Sequence, residues 1–176
     1  MINHDKKYIH IPIPKTASQS IVHGLGSKVI HEPALYHNTL EHFISEDYLQ
    51  NTEYYSFSFV RNPWDRMVSY YHWLKEQSFD HPAVRLAKTS GFADFVMDAE
   101  VGEGFRRNPY ASYVAGGRDP IFLRLEHLDT DLAPFSALLG FDLMLPMANR
   151  SVRIRDWRGY YDDATQKRVA DICAQD

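Results

Sequence analysis

Two short stretches of this chain carry residue types that can hold an anion. In Ile13 to Ser20 (IPKTASQS), a lysine and then small and hydroxylated residues lie between an apolar stretch and a helical pattern. A turn between a strand and a helix aims backbone N–H groups and the positive helix end at one point. Lys15 adds a mobile point charge, and Thr16, Ser18 and Ser20 add hydroxyl donors around Ala17 and Gln19. The loop lacks the glycines of G-x-x-x-x-G-K-[ST], so it is not a Walker A loop. The second stretch is FVRNPWDRMVSYY, Phe59 to Tyr71. Arg61 can make a bidentate, permanently charged contact with a phosphate, and Ser69 can add a hydroxyl. Alone, the first stretch reads equally well as a turn with an incidental lysine, and the second as a helix start beside a surface arginine. Together they suit one ligand with phosphates at both ends.

The elements that must position these residues follow from local pattern. Tyr8 to Ile13 predicts a buried strand, and Ile21, Val22 and Leu25 mark one face of a helix with Gly24 and Gly26 near its end. Lys28 to His31 suggests a short strand, and Asn38 with Glu41 a capped helix running to about Leu49. Tyr54 to Val60 (YYSFSFV) alternates aromatic and polar residues, as a strand does. Asn62 can then cap, Pro63 fits a first helical turn, and Asp65 meets the helix dipole. Trp64, Met67, Val68, Tyr71 and Leu74 recur at helical spacing. Further helices are predicted over Phe92 to Met97, from about Pro109 to the stop at Gly116-Gly117, and through Leu132, Phe135, Leu138 and Leu139 to Gly140. Ile121 to Leu125 predicts a strand, Pro146 to Gly159 a polar loop, and Asp163 with Gln166 the start of a last helix. Strands alternating with helices predict an α/β layer architecture with a mainly parallel sheet, in which ligands sit at the carboxyl ends of strands.

Composition narrows the class. The 176 residues suit one domain, and 44% hydrophobic with 24% charged residues is ordinary for a globular protein. A net charge of −4 argues against broad nucleic-acid binding, so any anion site is built from a few placed groups. The single cysteine, Cys173, forms no intrachain disulfide. The first apolar stretch is short and broken by Pro12 and Pro14, so neither a signal peptide nor a membrane span is expected, and the expected compartment is the cytoplasm. His4, His10, His31, His37 and His42 lack metal-ligand spacing, and no metal site is expected.

The two motifs, in this order, resemble a known family. PKTASQS is similar to the 5′-phosphosulfate loop of sulfotransferases that use 3′-phosphoadenosine 5′-phosphosulfate (PAPS), and RNPWDRMVSYY to their 3′-phosphate motif. The match is nearest to the heparan 2-O-, chondroitin and dermatan sulfotransferases and short bacterial relatives. Tyr36 to Ile44, Phe122 to Phe141 and the closing stretch from Asn149 extend the likeness over most of the chain. Pro12 stands where relatives usually have a histidine, and Gln19 where a small hydroxyl residue is commoner. The resemblance implies a single P-loop-like three-layer α/β domain over residues 1–176. It implies that the loop Lys15, Thr16, Ala17, Ser18, Gln19, Ser20 binds the 5′-phosphosulfate and that Arg61 and Ser69 hold the 3′-phosphate. The implied acceptor is a hydroxyl or amine of a small molecule or carbohydrate.

Sulfuryl transfer is mainly alignment and charge stabilisation of an in-line displacement. Lys15 suits the leaving phosphate. His37 suits the base, because the positive end of the helix after it favours neutral imidazole; His31 and Glu41 are the next candidates. Arg150, Arg153, Arg155 and Arg158 form a cationic loop that either closes over the 3′-phosphate, guides an anionic acceptor, or is simply solvated. Two other readings stay open. One is a P-loop-like small-molecule kinase, disfavoured by the missing Walker glycines; the other is a non-catalytic protein that binds adenosine bisphosphate.

Overall fold

The computed structural model describes residues 2–3, 5–25, 54–116, 118–143, 145, 154 and 156–176. The strand expected at Lys28 to His31 and the helix expected from Asn38 to Leu49 lie outside the described residues. The chain divides into two compact units, one of Met1–Arg61 with Tyr110–Asn149 and the other of Asn62–Pro109 with Arg150–Asp176.

The first unit holds a four-stranded sheet among the described residues, in the order β1 (Ile2–Asn3), β2 (Tyr8–His10), β3 (Tyr55–Val60) and β4 (Arg118–Arg124). β1 is antiparallel to β2; β2, β3 and β4 are parallel, with His10 beside Phe57 and Val60 beside Arg124. The period-2 pattern of YSFSFV sorts its residues between two faces. Phe57 and Phe59 join Tyr8, Leu123, Ile21 of helix α1 (Ser18–Leu25), and Phe135 and Leu139 of helix α7 (Leu128–Leu139). The opposite face carries Ile9, Ile11 and Ile13 against Tyr110 and Tyr113 of α6 (Tyr110–Tyr113). Helices thus cover both faces of a mainly parallel sheet, the layered α/β class read from the sequence. Phe57 is the hub, with ring centroids 4.6 Å from Phe135 and 5.0 Å from His10.

The β2 ladder stops at His10, short of the expected Ile13. Pro12 and Pro14 have no N–H to give a ladder, and each confines the residue before it to extended backbone. The chain stays extended all the same. Ile11 N–H donates to the Phe57 carbonyl at 3.0 Å, and the Ser58 hydroxyl donates to the Ile11 carbonyl at 2.7 Å. β4 begins three residues earlier than expected, and Leu125 opens a 3₁₀ turn, Leu125–His127. Gly140 closes α7 with φ 74°, a left-handed conformation that suits glycine.

The second unit is helical: α2 (Pro63–Glu76), α3 (Pro82–Thr89), α4 (Phe92–Met97), α5 (Ala99–Arg107), a 3₁₀ turn (Trp157–Tyr160) and α8 (Asp163–Ile172). α2 starts as its sequence demands, with the Asn62 side chain accepting from the N–H groups of Trp64 and Asp65 at 3.1 and 3.3 Å. Its Met67, Tyr71 and Leu74 meet Phe95, Val101, Phe105, Val169 and Ile172 in one core. The α8 cap is one residue earlier than expected. Asp162, not Asp163, caps, and Thr165, not Gln166, reciprocates, its hydroxyl accepting from the Asp162 N–H at 3.0 Å. Thr165 is buried, while the Gln166 carbonyl accepts from Trp64 Nε1 at 3.1 Å. A buried ion pair joins Arg66 of α2 to the Asp176 carboxylate at 3.3 Å.

Candidate functional site

The lysine loop follows β2 on a strained backbone. Lys15 has φ 69° and Ala17 φ 60°, with Thr16 between them outside the positive region. A left-handed conformation costs an L-residue about 1–2 kcal/mol, and such strain concentrates at functional sites. Alternating hand across successive residues turns neighbouring N–H groups toward a common centre, the geometry of an anion nest. Here both positive φ values fall on residues other than glycine. The first turn of α1, Ser18 with Gln19 and Ser20, continues the loop, and its leading N–H groups have no intrahelical acceptors.

Two of the loop hydroxyls are tied to the loop's own backbone. Thr16 Oγ1 donates to the Ile13 carbonyl at 2.9 Å, and Ser18 Oγ donates to the same carbonyl at 3.0 Å. Both side chains are buried. They brace the loop across its base. Ala17 is exposed, and its carbonyl accepts from the Ile21 N–H at 3.2 Å to start the helix.

Arg61 leaves the end of β3, the parallel neighbour of β2. Its Nη1 donates to the Lys15 carbonyl over a long 3.4 Å. The two stretches singled out by chemistry therefore meet at adjacent strand ends, where ligands bind in open parallel sheets. The guanidinium straps the strained loop and brings a second, always-charged group beside Lys15. A residue without any local sequence signal fixes Arg61 in turn. The Tyr110 hydroxyl donates to the Arg61 carbonyl at 2.6 Å and lies 3.4 Å from the Arg61 N–H.

Ser69 belongs to the second unit, where it is buried in the middle of α2. His37, His31 and Glu41 lie outside the described residues, as do Arg150, Arg153 and Arg155; Arg158 is described, and its guanidinium lies 4.6 Å from the centre of the Trp157 ring. His10 is no solvent-facing base. It is wholly buried on β2 between Phe57 and Phe59, and burial holds its imidazole well below the ordinary range, in the neutral form. Among the described residues no group of His, Cys, Asp and Glu is placed to hold a metal ion, and no helix is long and apolar enough to cross a membrane.

Comparison with known proteins adds to this geometry. No curated protein and no solved structure matches the chain. The model of the sulfotransferase family matches residues 1–137, over three-quarters of the chain and all of the lysine loop, Arg61, Ser69 and Tyr110. With both candidate stretches inside the match and the loop and Arg61 on adjacent ends of a mainly parallel sheet, the chain belongs to the sulfotransferase family.

Proposed function

We propose that this protein transfers the sulfuryl group of PAPS to a hydroxyl or amine of a small-molecule or carbohydrate acceptor, and that residues 1–176 act as one domain in doing so. The observation that carries the reading is the meeting of the Lys15 loop and Arg61 through the Lys15 carbonyl. Two cationic residues and the backbone donors of the loop share the carboxyl end of the sheet's two inner strands, a donor set that fits an anion with phosphate at both ends of an adenosine.

In this reading the N–H groups of the loop from Thr16 to Ser20 cradle the 5′-phosphosulfate. Lys15 neutralises charge on the leaving phosphate as it develops, which lowers the barrier more than it tightens the ground state. Arg61 and Ser69 hold the 3′-phosphate. The acceptor oxygen forms its bond to sulfur as the bond from sulfur to the phosphate oxygen breaks. His37 takes the acceptor proton, assistance worth roughly 10²–10⁴-fold. Adenosine 3′,5′-bisphosphate is released.

Calorimetric titration tests the reading without knowledge of the acceptor. Adenosine 3′,5′-bisphosphate should bind about tenfold to a hundredfold tighter than adenosine 5′-monophosphate, since a charge-assisted phosphate contact is worth about 1.5–3 kcal/mol. Arg61→Ala should remove that preference. Equal affinities in the parent protein would mean that the 3′-phosphate is not read.

A further inference from the structure

We infer that Tyr110 is a positioning residue that sets the direction of Arg61 and thereby the selectivity for a 3′-phosphate. The inference rests on the proposed role of Arg61 and goes beyond it. Val60 beside Arg124 is the last register pair of β3 with β4, so Arg61 stands one residue past the end of that ladder. There the Tyr110 hydroxyl grips its peptide groups from the side, 2.6 Å from the carbonyl it donates to and 3.4 Å from the N–H it accepts from. The grip is rigid because the tyrosine ring is 6% exposed, packed among Ile9, Ile11, Ile13 and Val114. A short hydroxyl contact anchored in a core fixes the Cα–Cβ direction of Arg61, and with it the arc that the guanidinium sweeps.

Topology gives the contact a second meaning. The chain leaves the first unit after Arg61 and re-enters it at Tyr110, so the bonded residues are the exit and entry points of the inserted segment Asn62–Pro109. The bond also stands in series with the strap on the loop, because Arg61 Nη1 reaches the Lys15 carbonyl. A core tyrosine thus holds the arginine, and the arginine holds the strained lysine loop.

Tyr110→Phe tests this, because it keeps the ring in its packing and removes only the hydroxyl. The readout is the ratio of affinities for adenosine 3′,5′-bisphosphate and adenosine 5′-monophosphate. One lost hydrogen bond should lower that ratio by about threefold to tenfold, with the larger loss of affinity falling on the bisphosphate. In an Arg61→Ala background, Tyr110→Phe should leave the ratio unchanged. A melting temperature within a few degrees of the parent confirms that the variant folds. Three results would overturn the inference: a parental ratio in Tyr110→Phe, an equal loss of affinity for both nucleotides, or the same fall in ratio with Arg61 absent. If the parent shows no preference, or Arg61→Ala keeps it, the role of Arg61 itself fails and the inference falls with it. A parental preference that depends on Arg61 but not on Tyr110 sinks the inference alone.

Discussion

Replacing Ala17 by glycine should make the protein more stable and a worse nucleotide binder. At φ 60° an L-residue is held about 1–2 kcal/mol above its relaxed state. Ala17 is exposed, so removing its methyl group sacrifices little packing. Against the relief stands the extra freedom glycine gives the unfolded chain, about 0.4–1 kcal/mol. The difference leaves a gain of up to about 1.6 kcal/mol, or up to about 6 °C in melting temperature for a chain of this length. Ala17→Val should do the reverse, because a β-branched residue tolerates positive φ worst. The glycine variant should also bind adenosine 3′,5′-bisphosphate more weakly, since a loop no longer pre-set must be ordered on binding. Urea unfolding followed by circular dichroism gives the stability change. Trp64, Trp73 and Trp157 all lie in the second unit, so tryptophan fluorescence reports whether it unfolds together with the first. Coincident shifts by both probes fit a single cooperative domain. A glycine variant that loses stability, or a valine variant that keeps it, refutes the strain argument.

Burial should make His10 a source of acid sensitivity. Its folded-state pKa lies well below the ordinary 6.5, so as pH falls through about 6.5 the unfolded chain takes up a proton that the folded chain refuses. Stability then drops toward acid with a limiting slope of about 1.4 kcal/mol per pH unit, and His10→Phe should flatten that drop between pH 7 and 5 in urea titrations. Asp176→Asn should remove the charge partner from the buried ion pair with Arg66 and lower stability by up to about 3 kcal/mol; an unchanged urea midpoint would show that the pair contributes nothing. His37→Ala should slow single-turnover sulfuryl transfer by two to four orders of magnitude while nucleotide affinity stays near the parental value. Near-parental rates would move the base to His31 or Glu41.

What could be read from the sequence was local. Asn62, Pro63 and Asp65 announce α2 within four residues, and the structure places the cap on Asn62. The lysine loop could be singled out as a candidate anion turn because its chemistry is contiguous. Its strained backbone could not, since positive φ is usually signalled by glycine and neither Lys15 nor Ala17 gives that signal. The bracing hydrogen bonds of Thr16 and Ser18 were hidden for a related reason. A buried hydroxyl takes the nearest good acceptor, and the Ile13 carbonyl lies only three and five residues back. The α8 cap slipped by one because two adjacent aspartates and an adjacent Thr-Gln pair satisfy the same rule. Burial of Thr165 decides between them. Tyr110 was out of reach altogether: it stands 49 residues from Arg61 in a short helix with no distinguishing pattern. The division into two units was equally hidden, because the chain crosses between them inside the Arg61-Asn62 motif with no linker composition to mark the place.

The central claim is sulfuryl transfer from PAPS, and the most direct test is to follow sulfur-labelled PAPS in single turnover against a panel of hydroxyl and amine acceptors. The account predicts labelled acceptor appearing in step with adenosine 3′,5′-bisphosphate, without a magnesium requirement. It predicts that Lys15→Ala weakens nucleotide binding and slows transfer further still, because the ammonium is asked to stabilise the leaving phosphate more than the bound donor. Magnesium-dependent turnover of ATP with no labelled acceptor, or tight bisphosphate binding with no transfer to any member of the panel, would contradict it.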